Sequence, residues 1–287
     1  LMMNLFDLAT REALFYRTIA SEVPVRTPRA YAVQLDPCRG RNVILLEDLA
    51  DTAHFRDIRE PASVAEAALV VEALADLHAT FWESPRLESD LSSLQARNPA
   101  AERLGNLFVG KVLGNLKGNN AELIPEDLGL KGRIAYERRA EIDALWARGE
   151  RTVCHGDTHF GNLFFEDGSP GFLDWQAVMV GPPLRDVSYF LIASTDVDVL
   201  EANERDLVDR YVARLAERGV VLDREEAWTL YRATAVENYV AAVVTAGTSD
   251  RMQPSEISRA GVQRSVAATQ RLETFDVLSR LLDGRPV

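Results

Sequence analysis

The sequence predicts an α+β protein in which helices occupy most of the chain and short strands are confined to two regions. Runs rich in β-branched and aromatic residues occur at 30–46 and again at 151–174, each interrupted by a turn cluster. Apolar residues at helical spacing fill 63–82 and most of 199–282. We therefore expect small sheets, with a core supplied mainly by helices.

The first 46 residues are predicted to form one helix and two strands. Apolar residues recur at helical spacing over 5–20. Strands are expected at 30–35 and 42–46, joined by a turn at 36–40. Since 43–46 is continuously apolar, the second strand is expected to be fully buried.

A β-hairpin is predicted in the middle of the chain. A short strand at 151–154 comes first, and the hairpin strands are expected at 162–165 and 171–174. The cluster at 166–170 has the composition of a hairpin turn. Such a hairpin would bring residues 162 and 174 toward each other.

The rest of the chain predicts helices. They are expected at 63–82, 132–148, 199–218, 224–246 and 255–282, and from Leu184 onward after the Gly-Pro-Pro break at 181–183. His78 lies on the apolar face of the first of these, where a hydrogen-bonded core histidine is expected.

Composition restricts the function classes. The net charge of -12 argues against nucleic acid or an anionic membrane as a partner, and is compatible with a cationic small molecule. The apolar runs are too short to span a membrane. Two cysteines, Cys38 and Cys154, give no disulfide framework, which fits a cytoplasmic protein.

One motif carries specific chemistry. Asp157 is followed by Asn162 five residues later and by Asp174 seventeen residues later. Phosphoryl transfer from a nucleotide needs a carboxylate that orients and deprotonates a hydroxyl, and an amide and a carboxylate that hold Mg²⁺. The protein kinase catalytic loop has the same five-residue step from Asp to Asn.

The wording around these residues carries a family resemblance. HGDTHFGNLFF at 155–165, GFLDWQ at 171–176 and GPPLRDVSYFL at 181–191 resemble the aminoglycoside phosphotransferase family of small-molecule kinases, and its ecdysteroid-kinase-like and choline-kinase-like relatives. The resemblance implies a protein-kinase-like bilobal fold. Residues 1–46 would be an N-terminally truncated small lobe, 47–51 the interlobe hinge, and 52–287 a mostly helical large lobe.

The resemblance also implies the reaction and the residues that perform it. The γ-phosphoryl group of ATP would pass to a hydroxyl of a small molecule. Asp157 would be the catalytic base, while Asn162 and Asp174 would bind Mg²⁺. His155 and Asp186 would hold the catalytic loop by hydrogen bonding.

Further roles concern the nucleotide. Glu12 matches the helix glutamate that pairs with the phosphate-binding lysine of the small lobe; that lysine is expected upstream and no residue is assigned to it. Backbone groups of Glu47, Asp48 and Leu49 would meet the adenine edge. Gly156 stands where protein kinases have arginine, so control by activation-loop phosphorylation is not expected.

Other interpretations of the motif remain open. His155, Asp157 and His159 alternate along an extended segment, and would face one way as ligands of zinc or iron in a hydrolase. That site would leave Asn162 and Asp174 without a role.

A kinase-like chain without the phosphate-binding lysine would bind a nucleotide or another ligand and transfer nothing. A protein kinase is disfavoured, since Trp175 and Gln176 replace Phe-Gly and no Ala-Pro-Glu segment follows.

Overall fold

The structure is a computed structural model that describes residues 8–36, 41–56, 59–94, 99–115, 121–247 and 255–287. Its helices are α1 (Leu8–Thr18), α2 (Val64–Phe81), α3 (Pro99–Asn115), α4 (Glu126–Lys131), α5 (Ile134–Glu137), α6 (Arg139–Arg148), α7 (Leu184–Ser194), α8 (Val197–Glu217), α9 (Arg224–Ala246), α10 (Ser255–Arg271) and α11 (Thr274–Leu282). Its strands are β1 (Ala30–Asp36), β2 (Arg41–Leu46), β3 (His54–Phe55), β4 (Thr152–Cys154), β5 (Leu163–Glu166), β6 (Ser169–Phe172) and β7 (Met179–Gly181). The α+β prediction is confirmed.

Strands β1 and β2 form an antiparallel pair on which α1 packs. The prediction of a fully buried second strand is wrong. Val43 and Leu45 are 65% and 57% exposed, while Ile44 and Leu46 face the core side. Successive side chains in a strand point to opposite faces, and one face of this two-stranded sheet is open to solvent.

The predicted hairpin is present as β5 and β6, with Glu166 paired to Ser169. The two residues of its turn, Asp167 and Gly168, both have positive φ, as a type I′ turn requires. At the other end, the Leu173 N–H donates to the Asn162 carbonyl at 2.8 Å. The hairpin therefore brings the backbone before Asp174 next to Asn162.

Helix α2 lies at the centre of the larger core. It begins with a capping box in which Ser63 and Glu66 satisfy each other's backbone N–H groups. It packs against α8 and β4, and its apolar side chains join those of α1 and of the 3₁₀ turn Trp175–Ala177 in one cluster. A second cluster lies between α9, α10 and α11 and the short helices α4 to α6.

Two predicted helices are interrupted. The helix expected at 132–148 is divided among α5 and α6, and Gly132 packs against the Tyr239 ring. The helix expected at 255–282 is broken at Glu273, which has a φ of 51°. Arg232 donates to the Leu272 carbonyl and to the Glu273 carboxylate, so the break is stabilised by a residue distant in sequence.

The division into lobes at residue 47 stays a prediction, because one core cluster includes side chains from both sides of it. Two predicted features lie outside the described residues: the start of the first helix before residue 8, and the turn with Cys38.

Candidate active site

Strand β4 leads into the predicted catalytic loop, residues 155–162. It is buried along its length and pairs with β7, so the direction of the chain at His155 is fixed. Gly156 follows with a φ of 88°, and a Cβ there would lie 2.2 Å from the Ala177 carbonyl oxygen. Glycine is therefore the residue that this turn requires, because any side chain would meet the Ala177 backbone.

His155 is fully buried and holds the loop to the end of the hairpin. Its Nε2 donates to the Leu173 carbonyl at 2.8 Å, and its Nδ1 accepts from the Asp157 N–H at 3.3 Å. Burial lowers the pKa of His155, which favours the neutral ring that these two bonds require. This is the hydrogen bonding that the sequence analysis expects of His155.

Asp186, in the first turn of α7, is fully buried and binds the same loop. Its carboxylate accepts from the N–H groups of His155 at 2.6 Å and Gly156 at 3.0 Å. Burial opposes ionisation of Asp186, but a hydrogen bond from His78 and the nearby charge of Arg185 lower its pKa. The loop is thus held by an ionised carboxylate.

Asp157 and Asn162 are in direct contact. The Asn162 Nδ2 donates to the Asp157 carbonyl at 2.9 Å and to the Asp157 Oδ2 at 3.0 Å. Burial and the charge of Asp157 raise the pKa of Tyr189, on α7, and His159 Nε2 lies 3.6 Å from the Asp157 Oδ2. The carboxylate is therefore oriented while it remains partly exposed.

Asp174 has a left-handed backbone conformation, with φ 55° and ψ 63°, immediately after the hairpin. Burial, and then the charge of Asp157, raise the pKa of Asp174. Burial and the charge of Asp174 likewise raise the pKa of Glu12 on α1. The structure thus brings together three carboxylates that sequence analysis predicts from distant parts of the chain.

An aromatic stack joins α1 to the segment after Asp174. The rings of Phe15 and Trp175 are parallel, with centroids 3.9 Å apart, and the His155 ring lies 4.5 Å from Trp175. All three side chains are buried. Helix α1, which carries Glu12, is thus packed against the segment that follows Asp174.

The predicted hinge residues differ in what they offer to a ligand. The Glu47 N–H donates to the Arg29 carbonyl, and the Glu47 side chain binds Arg26 at 3.0 Å. Arg26 also binds Glu166 of the hairpin at 2.7 Å. Glu47 therefore joins β2 to the hairpin, and its N–H is occupied. The adenine-binding role stays a prediction for the Glu47 carbonyl and for backbone groups of Asp48 and Leu49.

The histidine-based metal site is not assembled in the described part of the chain. His155 uses both ring nitrogens in backbone hydrogen bonds, so it cannot join Asp157 and His159 around an ion without losing them. The group of three potential ligands that does converge is His78, Cys154 and Asp186, all fully buried. Asp186 is already bonded to the loop, and burial raises the pKa of the Cys154 thiol well above its usual value.

A cleft of about 420 Å³ opens beside Asp157. Side chains of α9 and α10 line it, together with Asp157, His159, Tyr189, Arg59 and Ala193. A small molecule in this cleft would contact the exposed part of the Asp157 carboxylate.

The sequence places this geometry in a known family. A sequence model of the Phosphotransferase enzyme family matches residues 4–228. The chain belongs to this family. The catalytic loop, the hairpin and α7 of the phosphotransferase all lie within the matched region.

Solved structures show the same fold at low sequence identity. A choline/ethanolamine kinase family protein from Mesorhizobium loti superposes with a TM-score of 0.56 at 17% identity, over 96% of this chain and 83% of the other. An ethanolamine kinase from Plasmodium vivax gives 0.56 at 11% identity, over 91% and 71%. Choline kinase LicA from Streptococcus pneumoniae gives 0.53 at 13% identity, over 92% and 80%. The protein-kinase-like fold is thereby confirmed for this phosphotransferase.

No curated protein matches the sequence of this phosphotransferase. In the described part of the chain, no helix combines the length and apolar character that crossing a bilayer requires.

Sequence reasoning missed three contributors to the site. His78, expected only as a core residue, donates from Nε2 to Asp186 and accepts at Nδ1 from the Tyr211 hydroxyl. Arg185 donates to the Gly156 carbonyl at 2.7 Å. Tyr189 lies one turn after Arg185, and this spacing on α7 was the available signal.

Proposed function

We propose that this phosphotransferase transfers the γ-phosphoryl group of ATP, with Mg²⁺, to a hydroxyl of a small molecule. The observation that supports it best is the contact between Asp157 and Asn162 beside the carboxylate of Asp174. These groups are the base and the metal ligands that phosphoryl transfer needs. The proposed location is the cytoplasm, where MgATP is available.

The donor set fits magnesium. Asp174 and Glu12 have raised pKa values, for which burial and neighbouring carboxylates are the causes. A divalent cation would relieve this repulsion, and oxygen ligands suit Mg²⁺. Asp174 and the Oδ1 of Asn162 would hold the ion, which when bound neutralises phosphate charge.

In the proposed reaction, Asp157 orients the acceptor hydroxyl and takes its proton. The hydroxyl oxygen forms the new bond to the γ-phosphorus, and the bond from that phosphorus to the leaving oxygen of ADP breaks. Asn162 keeps the carboxylate in position by hydrogen bonding. The products are ADP and a phosphate monoester.

Glu12 and the hinge complete the proposed nucleotide site. Among the described residues no cation lowers the pKa of Glu12, so its carboxylate suits a lysine near the phosphates. The Glu47 carbonyl and backbone groups of Asp48 and Leu49 would bind the adenine. The function is tested by measuring ADP release and phosphorylated product with MgATP against amino sugars, sugars, choline and hydroxylated lipids. ADP release without product from any acceptor would contradict it.

Asp174→Ala is expected to abolish the magnesium-dependent part of nucleotide binding. The variant lacks the carboxylate ligand, while removal of mutual repulsion leaves the apo protein at least as stable. The measurement is the shift in melting temperature on titration with ATP, with and without Mg²⁺. Asp198→Ala, at an exposed site in the first turn of α8, is the control. An equal magnesium-dependent shift in Asp174→Ala and wild type would exclude Asp174 as a ligand.

Gly261→Leu is expected to block the cleft beside Asp157. Gly261 lines this cleft on α10, and a Cβ there meets no protein atom within 4 Å. A leucine would project into the space of the acceptor and raise its KM by roughly 10²-fold, with the MgATP melting shift unchanged. Gly261→Ala is the control, since it adds about 1 kcal/mol of helix stability and little volume. An unchanged KM in Gly261→Leu would place the acceptor elsewhere.

A further inference from the structure

One side chain in the cleft beside Asp157 has an unmet hydrogen-bonding need. Asn238, on α9, is 4% exposed, and its Oδ1 has no hydrogen-bond partner. A buried polar atom without a partner lowers stability, and each one calls for an explanation. Asn238 lines the cleft, so a bound molecule can supply the missing partner.

Asn238 lines the cleft from a different element than the reacting group. Asp157 lies on the loop after β4, Tyr189 on α7 and Asn238 on α9. Small residues accompany Asn238 on α9 and on α10, among them Ala241, Ala242 and Gly261. An acceptor that places one hydroxyl at Asp157 would therefore rest on a small-residue surface, with a second polar group near Asn238.

The lining also distinguishes among acceptors. Among the described lining residues, Tyr189 is the one Phe, Tyr or Trp side chain, and its ring already has the Arg185 guanidinium 5.9 Å from its centroid. Recognition of a quaternary ammonium group relies on several aromatic faces around the cation. This cleft offers no such enclosure.

We propose that Asn238 determines acceptor specificity by hydrogen-bonding a second hydroxyl of a polyhydroxylated acceptor, while Asp157 binds the hydroxyl that reacts. A hydroxyl both donates and accepts, so it satisfies the amide in either orientation of the side chain. The proposal rests on the proposed function for the reaction, but binding of the acceptor does not require it.

The test uses matched compounds and a matched pair of variants. The probes are hexoses and amino sugars with their monodeoxy analogues, together with choline and 1-hexanol. Product formation and calorimetric binding without nucleotide are measured for wild type, Asn238→Leu and Asn203→Leu. Asn203 is a half-buried asparagine on α8 that is not among the residues lining the cleft, and it serves as the control.

For wild type, loss of one non-reacting hydroxyl is expected to lower kcat/KM and affinity by roughly 10²-fold or more. Asn238→Leu is expected to lower the values for the parent sugar to those of its deoxy analogue, and to change the analogue little. Its melting temperature without ligand should equal or exceed that of wild type, because an unpaired polar atom is removed. A structural role for Asn238 would instead lower it.

Three outcomes overturn the proposal. They are an equal effect of Asn238→Leu on the parent sugar and all of its analogues, choline as the best acceptor, and no binding of any polyhydroxylated probe. If sugars bind with the expected pattern but no product forms with MgATP, the proposed phosphoryl transfer fails and the specificity role of Asn238 stands.

Discussion

Asp157→Asn is expected to lower turnover by roughly 10²- to 10⁴-fold, the usual contribution of a positioned general base. The amide has nearly the shape of the carboxylate and can still accept the hydrogen bond from Asn162, but it cannot take the proton of the hydroxyl. The measurement is initial rate of product formation at saturating MgATP. The melting temperature and its shift with MgATP should stay close to those of wild type.

A control for this result is provided by His159, whose ring lies 3.6 Å from the same carboxylate. His159→Ala should retain measurable phosphoryl transfer, because no step of the proposed reaction uses its ring. Near-wild-type turnover in Asp157→Asn would remove Asp157 from the mechanism. Complete loss of activity in His159→Ala with intact folding would show that the base is a pair of residues.

Asp186→Ala is expected to have the largest effect on stability, a loss of about 3–5 kcal/mol of unfolding free energy. The substitution leaves the buried N–H groups of His155 and Gly156 unpaired, and it removes the acceptor for His78. Chemical denaturation measures the loss. Folding lowers the pKa of Asp186, so its contribution is present above the ordinary carboxyl pKa of about 3.9 and declines as pH falls through the folded value.

Two comparisons make the Asp186 result specific. Asp198→Ala, which removes an exposed carboxylate at a similar helix position, should change the unfolding free energy by less than about 0.5 kcal/mol. Asp186→Asn should lie between wild type and Asp186→Ala, since one amide oxygen can accept one of the two loop bonds. A loss below about 1 kcal/mol in Asp186→Ala would show that the loop does not depend on this carboxylate.

Local signals were sufficient where the chain itself fixes the structure. The Asp167-Gly168 turn defines the hairpin, and Ser63 with Glu66 defines the start of α2. Distant contacts decide the failures. The break at Glu273 follows no glycine or proline and depends on Arg232. The exposure of Val43 depends on whether another element packs on its face of the sheet, and the local sequence does not show this.

The same distinction holds for the site. The spacing of Asp157, Asn162 and Asp174 predicts chemistry because the hairpin between them has a fixed geometry. Asn238 and much of the cleft lining come from α9 and α10, which begin at residue 224 or later, 50 or more residues after Asp174, and only tertiary packing brings them to the loop. Periodicity shows that such helices exist, and it does not show which of their faces meets a substrate.

The stack of Phe15 on Trp175 provides an intrinsic fluorescence signal for the position of α1. Trp175 is fully buried and follows Asp174 directly. Its indole stacks on the ring of Phe15, which lies on α1. Any rotation of α1 that displaces Glu12 must separate the two rings and change the environment of the indole. The intrinsic fluorescence of Trp175, isolated by replacing the other three tryptophans with phenylalanine, is therefore an optical signal of whether Glu12 and Asp174 are aligned in the proposed nucleotide site.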